Sequence, residues 1–221
     1  MLNRSIIITE DGSSSLYVPS LNEAYHSIHG AIQESEHIFI AAGLNAEIFS
    51  SMKNIKIFEV GFGTGLNALL TIIYAKNRII NYHTIELYPL QEFEWKQLNY
   101  SVLEKKNKQI FYDLHQSPWE IITNITDSFT LLKNNIAMQN ISLSENEYDL
   151  VYFDAFSPDS QPEMWSESVF LTIFKAMKSG GILMTYSTKG IVKRTLQNVG
   201  FKIEKLAGPP GKREILRAYK L

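Results

Sequence analysis

One stretch restricts the fold more than any other, IFEVGFGTGLNALL at residues 57–70. It is apolar up to Glu59 and Val60, carries glycine at 61, 63 and 65, and turns apolar again at helical spacing. That order reads as a buried strand, a tight loop and a helix. Glycine reaches positive φ freely and leaves no side chain between the backbone and whatever approaches it. Such a loop is either a strand-to-helix turn or the seat of a ligand.

The rest of the chain repeats the unit. Two short strands are expected around Asp11-Gly12, then a helix over 20–40 with Gly30 as an interruption. Strand 54–60 and helix 66–76 flank the glycine loop, and strand 82–87 and helix 89–103, with Pro89 in its first turn, follow. Residues 104–127 suggest helical pieces broken at Ser117-Pro118. Strands are expected at 128–134 and 147–154, a helix over 162–181 closed by Gly180-Gly181, a strand at 182–188 and a helix over 189–199 stopped by Gly200. Two final strands flank Gly208-Pro209-Pro210-Gly211. Alternation implies a parallel sheet covered on both faces, and the closing pair implies an antiparallel edge. That edge separates the methyltransferase version of the doubly wound α/β sheet from the dinucleotide-binding one. The expectation is one unit over 1–221, with a hairpin and helical lead-in over 1–50 and the core over 51–221.

The acids sharpen the reading of the loop. A dinucleotide fingerprint needs glycine where Leu66 stands. The pattern here is acid-x-G-x-G-x-G from Glu59, which suits S-adenosylmethionine, a cofactor without a pyrophosphate. Glu59 either faces its ammonium or orders the loop. The backbone of Gly61, Phe62, Gly63, Thr64 and Gly65 meets its carboxylate, and Asn67 in the next turn joins the candidate set. Glu86, at the end of the second strand, is placed to accept from a ribose diol. Asp154, at the end of the fourth, borders the transferred methyl group or else orders its own loop. Phe156, Pro158 and Trp165 are candidates for an apolar wall.

Charge and composition narrow the partners. The chain has no cysteine, which removes disulfides, thiolate ligands and a thiol nucleophile and suits a reducing cytoplasm. No apolar run approaches the roughly 20 residues of a bilayer span, and the N-terminus lacks a signal-peptide core. A soluble, cytoplasmic protein without metal is expected. The net charge of −2 hides a polarity: residues 189–221 hold nine basic residues and two acids, +7, so residues 1–188 carry −9. A basic tail of this kind is an exposed structural face or a seat for an anionic partner.

Several segments together resemble the MnmC family of tRNA wobble-uridine enzymes, in its methyltransferase part: GFGTGLNALL, FDAFSPDSQPEMW, SGGILMTYSTKGIVKRTLQNVGF and LAGPPGKREILRA. The lead-in is similar through Tyr25, Ser27, Gly30 and Glu34, so the likeness runs from Tyr25 to the end. It implies a Rossmann-like class I S-adenosylmethionine-dependent methyltransferase, with a seven-stranded mostly parallel sheet and an antiparallel C-terminal hairpin. It implies methylation of the exocyclic amine of 5-aminomethyl-(2-thio)uridine in the tRNA anticodon stem-loop. Asp154 would be catalytic, and Tyr25, Phe156, Pro158, Lys189, Lys193, Arg194, Lys212 and Arg213 would bind substrate. Many members carry a second, flavin-dependent oxidase domain, which is expected to be absent here. Asn134 and Asn135 stand where related methyltransferases carry an acid for the adenine amine. A small-molecule or protein methyltransferase on the same fold, and a non-catalytic nucleotide-binding module, are the competing readings.

Overall fold

The computed structural model describes residues 3–100 and 107–221. The end of the expected 89–103 helix and the first residues of the 104–127 stretch lie outside the described residues.

An eight-stranded sheet carries the molecule, in the order β10 (Lys202–Ala207), β11 (Glu214–Tyr219), β9 (Met177–Thr185), β8 (Tyr148–Phe153), β4 (Asn54–Val60), β5 (Ile79–Ile85), β7 (Phe129–Asn134), β6 (Thr123–Thr126). Its centre is parallel: β4 lies between β5 and β8, with β7 and β9 outside them. All six residues of β8 are buried, as expected for a parallel strand covered on both faces. Alternation along β4 sends Ile55 and Ile57 to one face and Phe58 and Val60 to the other. The first face packs on α2 (Leu66–Tyr74) and α4 (Asn107–Gln116), the second on α5 (Glu167–Ala176) and α6 (Gly190–Val199). The final strands β10 and β11 form the antiparallel edge the sequence implies.

The count of seven strands is corrected to eight. Residues Thr123–Thr126, read as part of a helical stretch, form β6, antiparallel to β7 at the far edge. The expected hairpin is present as β1 (Ser5–Ile8) and β2 (Ser14–Val18), but Glu23–Ala24 adds β3 and completes a separate three-stranded sheet. The expected 20–40 helix therefore starts only at Ala31, as α1 (Ala31–Ser35) running into a π-helical segment, Glu36–Leu44. Its first turn is capped from the hairpin: Ser13 Oγ accepts the Ala31 N–H at 3.1 Å, and Asp11 accepts the Gln33 N–H at 3.0 Å. Short-range periodicity cannot reveal caps so distant in sequence.

Two other helices are shorter than expected. Pro89 precedes α3 (Glu92–Trp95), which Gln91 and Glu94 start as a capping box. The 162–181 helix divides into a 3-10 turn, Pro162–Trp165, and α5, after which β9 begins at Met177. Gly180-Gly181 is not a helix stop. It lies inside β9, where the pairing with β8 shifts register and Gly180 takes φ 81°.

Candidate active site

The parallel strands deliver their carboxyl ends to one edge, where the loops enclose a cavity of about 430 Å³. The loop after β4 forms its floor. Gly61 and Phe62 each donate an N–H to the Ile85 carbonyl at 3.0 Å, which ties the loop to β5. Gly61 (φ 93°) passes so near the neighbouring strand that a Cβ would stand 2.8 Å from the Asp154 carbonyl oxygen. Gly63 (φ 51°) faces Tyr25, whose ring would lie 3.2 Å from a Cβ. Gly65 starts α2, and His115 Nε2 donates to the Thr64 carbonyl at 3.1 Å from behind. The Phe62 ring is buried 5.3 Å from His115 and 6.2 Å from Trp119, which leaves its backbone to the pocket.

Glu86 and Asp154 both line the cavity, each just past its strand. Glu86 accepts the Gly63 N–H at 3.0 Å and the Tyr88 N–H at 2.8 Å. Each of its oxygens keeps a second lone pair for a diol. Asp154 Oδ2 accepts from Asn67 Nδ2 at 2.9 Å. Burial, aided by the Glu34 charge and opposed by Asn67 and Lys212, raises the Asp154 pKa to about 7. Glu59 is placed differently. It is fully buried beneath the loop, outside the cavity lining, and accepts from Thr84 Oγ1 at 2.8 Å. Burial lifts its pKa to about 8.

The remaining sequence candidates separate. Tyr25 and Phe156 meet edge to face, 5.0 Å between centroids, in the cavity wall. Arg4 holds this side together, donating to the Tyr25 hydroxyl at 2.9 Å and pairing with Glu94 at 3.1 Å. Pro158 lies outside the lining, as does Trp165, whose indole N–H goes to the Phe156 carbonyl at 2.8 Å. Asn135 donates to the Glu86 carbonyl at 2.7 Å and Asn134 bonds Glu120; neither lines the cavity, whereas Ile136 and Met138 do. Lys189 and Arg213 line a shallower neighbouring cleft, and Lys189 pairs with Asp159. Lys193 and Arg194 stand along α6. Lys212 turns into the cavity itself, 2.8 Å from Glu34 Oε1.

Of the lining residues outside the sequence-derived site set, three stand out, and of these only Glu34 enters the sequence reading, as part of the resemblance. Glu34 reaches the cavity only because the hairpin positions α1. His26 lies in the bend after β3, with Nδ1 2.9 Å from Ser15 Oγ; burial lowers its pKa to about 4, so it is neutral. Tyr186 follows β9 and donates to the Ala155 carbonyl at 2.9 Å. Its place just beyond a parallel strand was the available signal.

Among the described residues, the lining sets the carboxylates of Glu23, Glu34, Glu86, Asp154 and Glu163 against one ammonium, that of Lys212. Such a cavity favours a cationic ligand. S-adenosyl-L-methionine, with its sulfonium and ammonium, has that charge. The bare backbone at Gly61 and Gly63 gives it room, and Glu86 offers acceptors to its ribose.

A family model described as S-adenosyl-L-methionine-dependent methyltransferase matches residues 101–221. Among curated proteins, the chain is similar to the tRNA 5-methylaminomethyl-2-thiouridine biosynthesis bifunctional protein MnmC of Magnetococcus marinus, 31% identical over 218 residues. That alignment covers 91% of this chain and 32% of the relative. The protein of the same name from Idiomarina loihiensis is 29% identical, over 99% of this chain and 39% of its own length. The chain thus spans about a third of the length of these relatives. Among solved structures, MnmC2 from Aquifex aeolicus superposes with a TM-score of 0.83 at 24% identity, over 99% of this chain and 71% of that one. Spermidine synthase from Thermotoga maritima shares the fold at a TM-score of 0.54 and 13% identity, over 99% and 73% of the two chains. The family match spans more than half of the chain, up to its last residue, and includes Asp154 and the closing hairpin. The cavity asks for the same cationic cofactor that the family uses, and the chain belongs to the S-adenosyl-L-methionine-dependent methyltransferases.

Proposed function

We propose that this protein methylates the exocyclic amine of 5-aminomethyl-(2-thio)uridine at the wobble position of tRNA, in the cytoplasm where tRNA is modified. The observation that carries this reading is Asp154, which lines the cavity with the glycine loop packed on its backbone and with Phe156, the partner of Tyr25 in the wall, two residues further on. The similar MnmC proteins, whose printed name is tRNA 5-methylaminomethyl-2-thiouridine biosynthesis, support the substrate.

The chemistry follows from the amine. S-adenosyl-L-methionine supplies a methyl group on an electrophilic sulfonium. A free alkylamine has a pKa of roughly 10.4, so it arrives protonated and without a lone pair. Asp154 accepts an N–H from it, and a carboxylate with a pKa of about 7 is matched to take that proton near neutral pH. Asn67 fixes the carboxylate's orientation through its 2.9 Å bond. Tyr25 and Phe156 exclude water beside the base. Holding the lone pair in line supplies much of the acceleration, for which positioning can contribute roughly 7–11 kcal/mol.

The test incubates the protein with methyl-labelled S-adenosyl-L-methionine and tRNA carrying or lacking the aminomethyl group. Label is expected only in the aminomethyl tRNA. Asp154→Asn is expected to lower turnover by about 10²-fold while cofactor affinity holds, the range of acid–base groups. Labelling of both tRNAs alike, or of neither, would sink the substrate assignment.

A further inference from the structure

The Pro-Gly turn before β11 aims a lysine into the active cavity. Gly211 (φ 82°) packs so closely on His29 that any side chain there would overlap the imidazole. The Lys212 N–H donates to the Pro209 carbonyl at 2.9 Å, and Gly208 donates across the turn to Arg213 at 3.1 Å. The turn is therefore fixed at both ends. From it the Lys212 side chain reaches Glu34 at 2.8 Å and lies over the Tyr186 ring, 5.1 Å from its centroid. Tyr186 is itself bonded to Ala155, next to Asp154. The ammonium is close enough to Asp154 to favour its ionised form.

We propose that Lys212 is a further residue of the methyl-transfer step, its ammonium biasing the bound substrate amine towards the neutral, nucleophilic form. This rests on the aminomethyl-uridine reading above. The charges facing the site are Glu34 from α1, Glu23 from β3, Glu86 beyond β5, Asp154 beyond β8 and Glu163 from the 3-10 turn. The neutral His26, Tyr25 and Tyr186 stand beside them, with Lys189, Arg213 and Glu214 on the outer side. Carboxylates around an alkylammonium stabilise the cation and raise its pKa. An amine held in that way is bound well and reacts poorly, because its lone pair is occupied by a proton. Lys212, paired with Glu34, lowers the net negative charge around the incoming ammonium, and this favours release of the proton. The released proton goes to Asp154 or to water. The freed lone pair then forms the N–C bond as the C–S bond breaks.

The experiment measures single-turnover methylation across pH 6–10, with enzyme and cofactor saturating. The substrate is an anticodon stem-loop RNA carrying 5-aminomethyluridine. In Lys212→Met the rate at pH 7 should fall about tenfold, and its rise with pH should move up by about one unit, since a unit of pKa is a tenfold change in neutral amine. The two enzymes should converge at the alkaline end. Lys212→Arg should restore the parent profile and shows that the fold tolerates a change there. Profiles that superimpose, or a rate lowered equally at every pH, would overturn the proposal. A lysine that only holds phosphate or supports the turn gives the second result. A parent enzyme that leaves the RNA unmethylated would instead overturn the substrate reading, and this inference with it.

Discussion

At the scale of single residues, Glu59 and Asn67 show how the base is held. Glu59 Oε1 and Asn67 Oδ1 are both buried and lack a partner among the described residues. Two acceptor oxygens cannot satisfy each other, and a buried polar atom without a partner is destabilising by about 1–3 kcal/mol. A proton on Glu59 turns its oxygen into a donor, and the groups that bear on it are Asn67 and the Tyr82 hydroxyl, itself buried without a partner among the described residues. Asn67 in turn donates to Asp154. Burial favours the same state by raising the Glu59 pKa to about 8. Such a raised carboxyl adds stability that is fully present below the unfolded pKa and is lost as pH rises through the folded one. The melting temperature should therefore carry a downward slope from Glu59 between about pH 5 and about pH 8, joined by Asp154 between about pH 4 and about pH 7 and opposed below about pH 6.5 by the buried neutral His26 and His115. Glu59→Gln keeps a donor for Asn67 and an acceptor for Thr84. It should flatten that slope and retain methyl transfer. Melting curves at several pH values decide it: a slope equal to the parent's would mean that Glu59 is ionised in the fold.

At the scale of elements, the glycine loop works as a backbone shape. Gly63 sits at φ 51°, donates to Glu86 and faces Tyr25. Gly63→Val adds about 1–3 kcal/mol of strain and forces Tyr25 away. Affinity for S-adenosyl-L-methionine should fall by at least about tenfold with secondary structure retained, for which calorimetry and circular dichroism suffice; unchanged affinity would remove the loop from the site. This loop was legible because a buried strand, glycines at alternate positions and an apolar helix are all local signals. Glu86 and Asp154 were legible for the same reason, as acids at the ends of apolar runs. Other elements were set by contacts remote in sequence. The start of α1 depends on Ser13 and Asp11, and β3 forms only because β2 offers an edge. Gly180-Gly181 follows an apolar helix and imitates its stop, yet backbone bonds to Lys220, beyond β11, hold it in a strand at the point where the pairing with β8 is interrupted. Glu34 and Lys212 come together across α1 and the last turn, a pairing that no spacing along the chain encodes.

At the scale of the whole molecule, the charge polarity of the sequence is sorted by the fold. Several of the basic residues of the tail are spent on internal pairs: Lys189 with Asp159, Lys205 with Glu214, Arg217 with Glu204 and Lys212 with Glu34. Lys193, Arg194 and Arg213 form no ion pair among the described residues. Lys193 and Arg213 both act on Glu214, and Arg213 lines the cleft that shares Tyr186 and Lys212 with the cavity. Under the proposed tRNA reading, these basic residues would meet the phosphates that flank an unstacked base, and the −9 remainder would disfavour RNA elsewhere. Each phosphate contact contributes about one to the slope of log affinity against log salt. The double variant Arg194→Ala with Arg213→Ala should thus bind tRNA with a slope shallower by about two, while its affinity for S-adenosyl-L-methionine stays at the parent value. Lys212→Met should leave the slope unchanged, because its ammonium is already paired inside the cavity. Filter binding at graded salt separates these cases: a slope altered by Lys212→Met and untouched by the arginine pair would move the RNA from the rim into the cavity mouth.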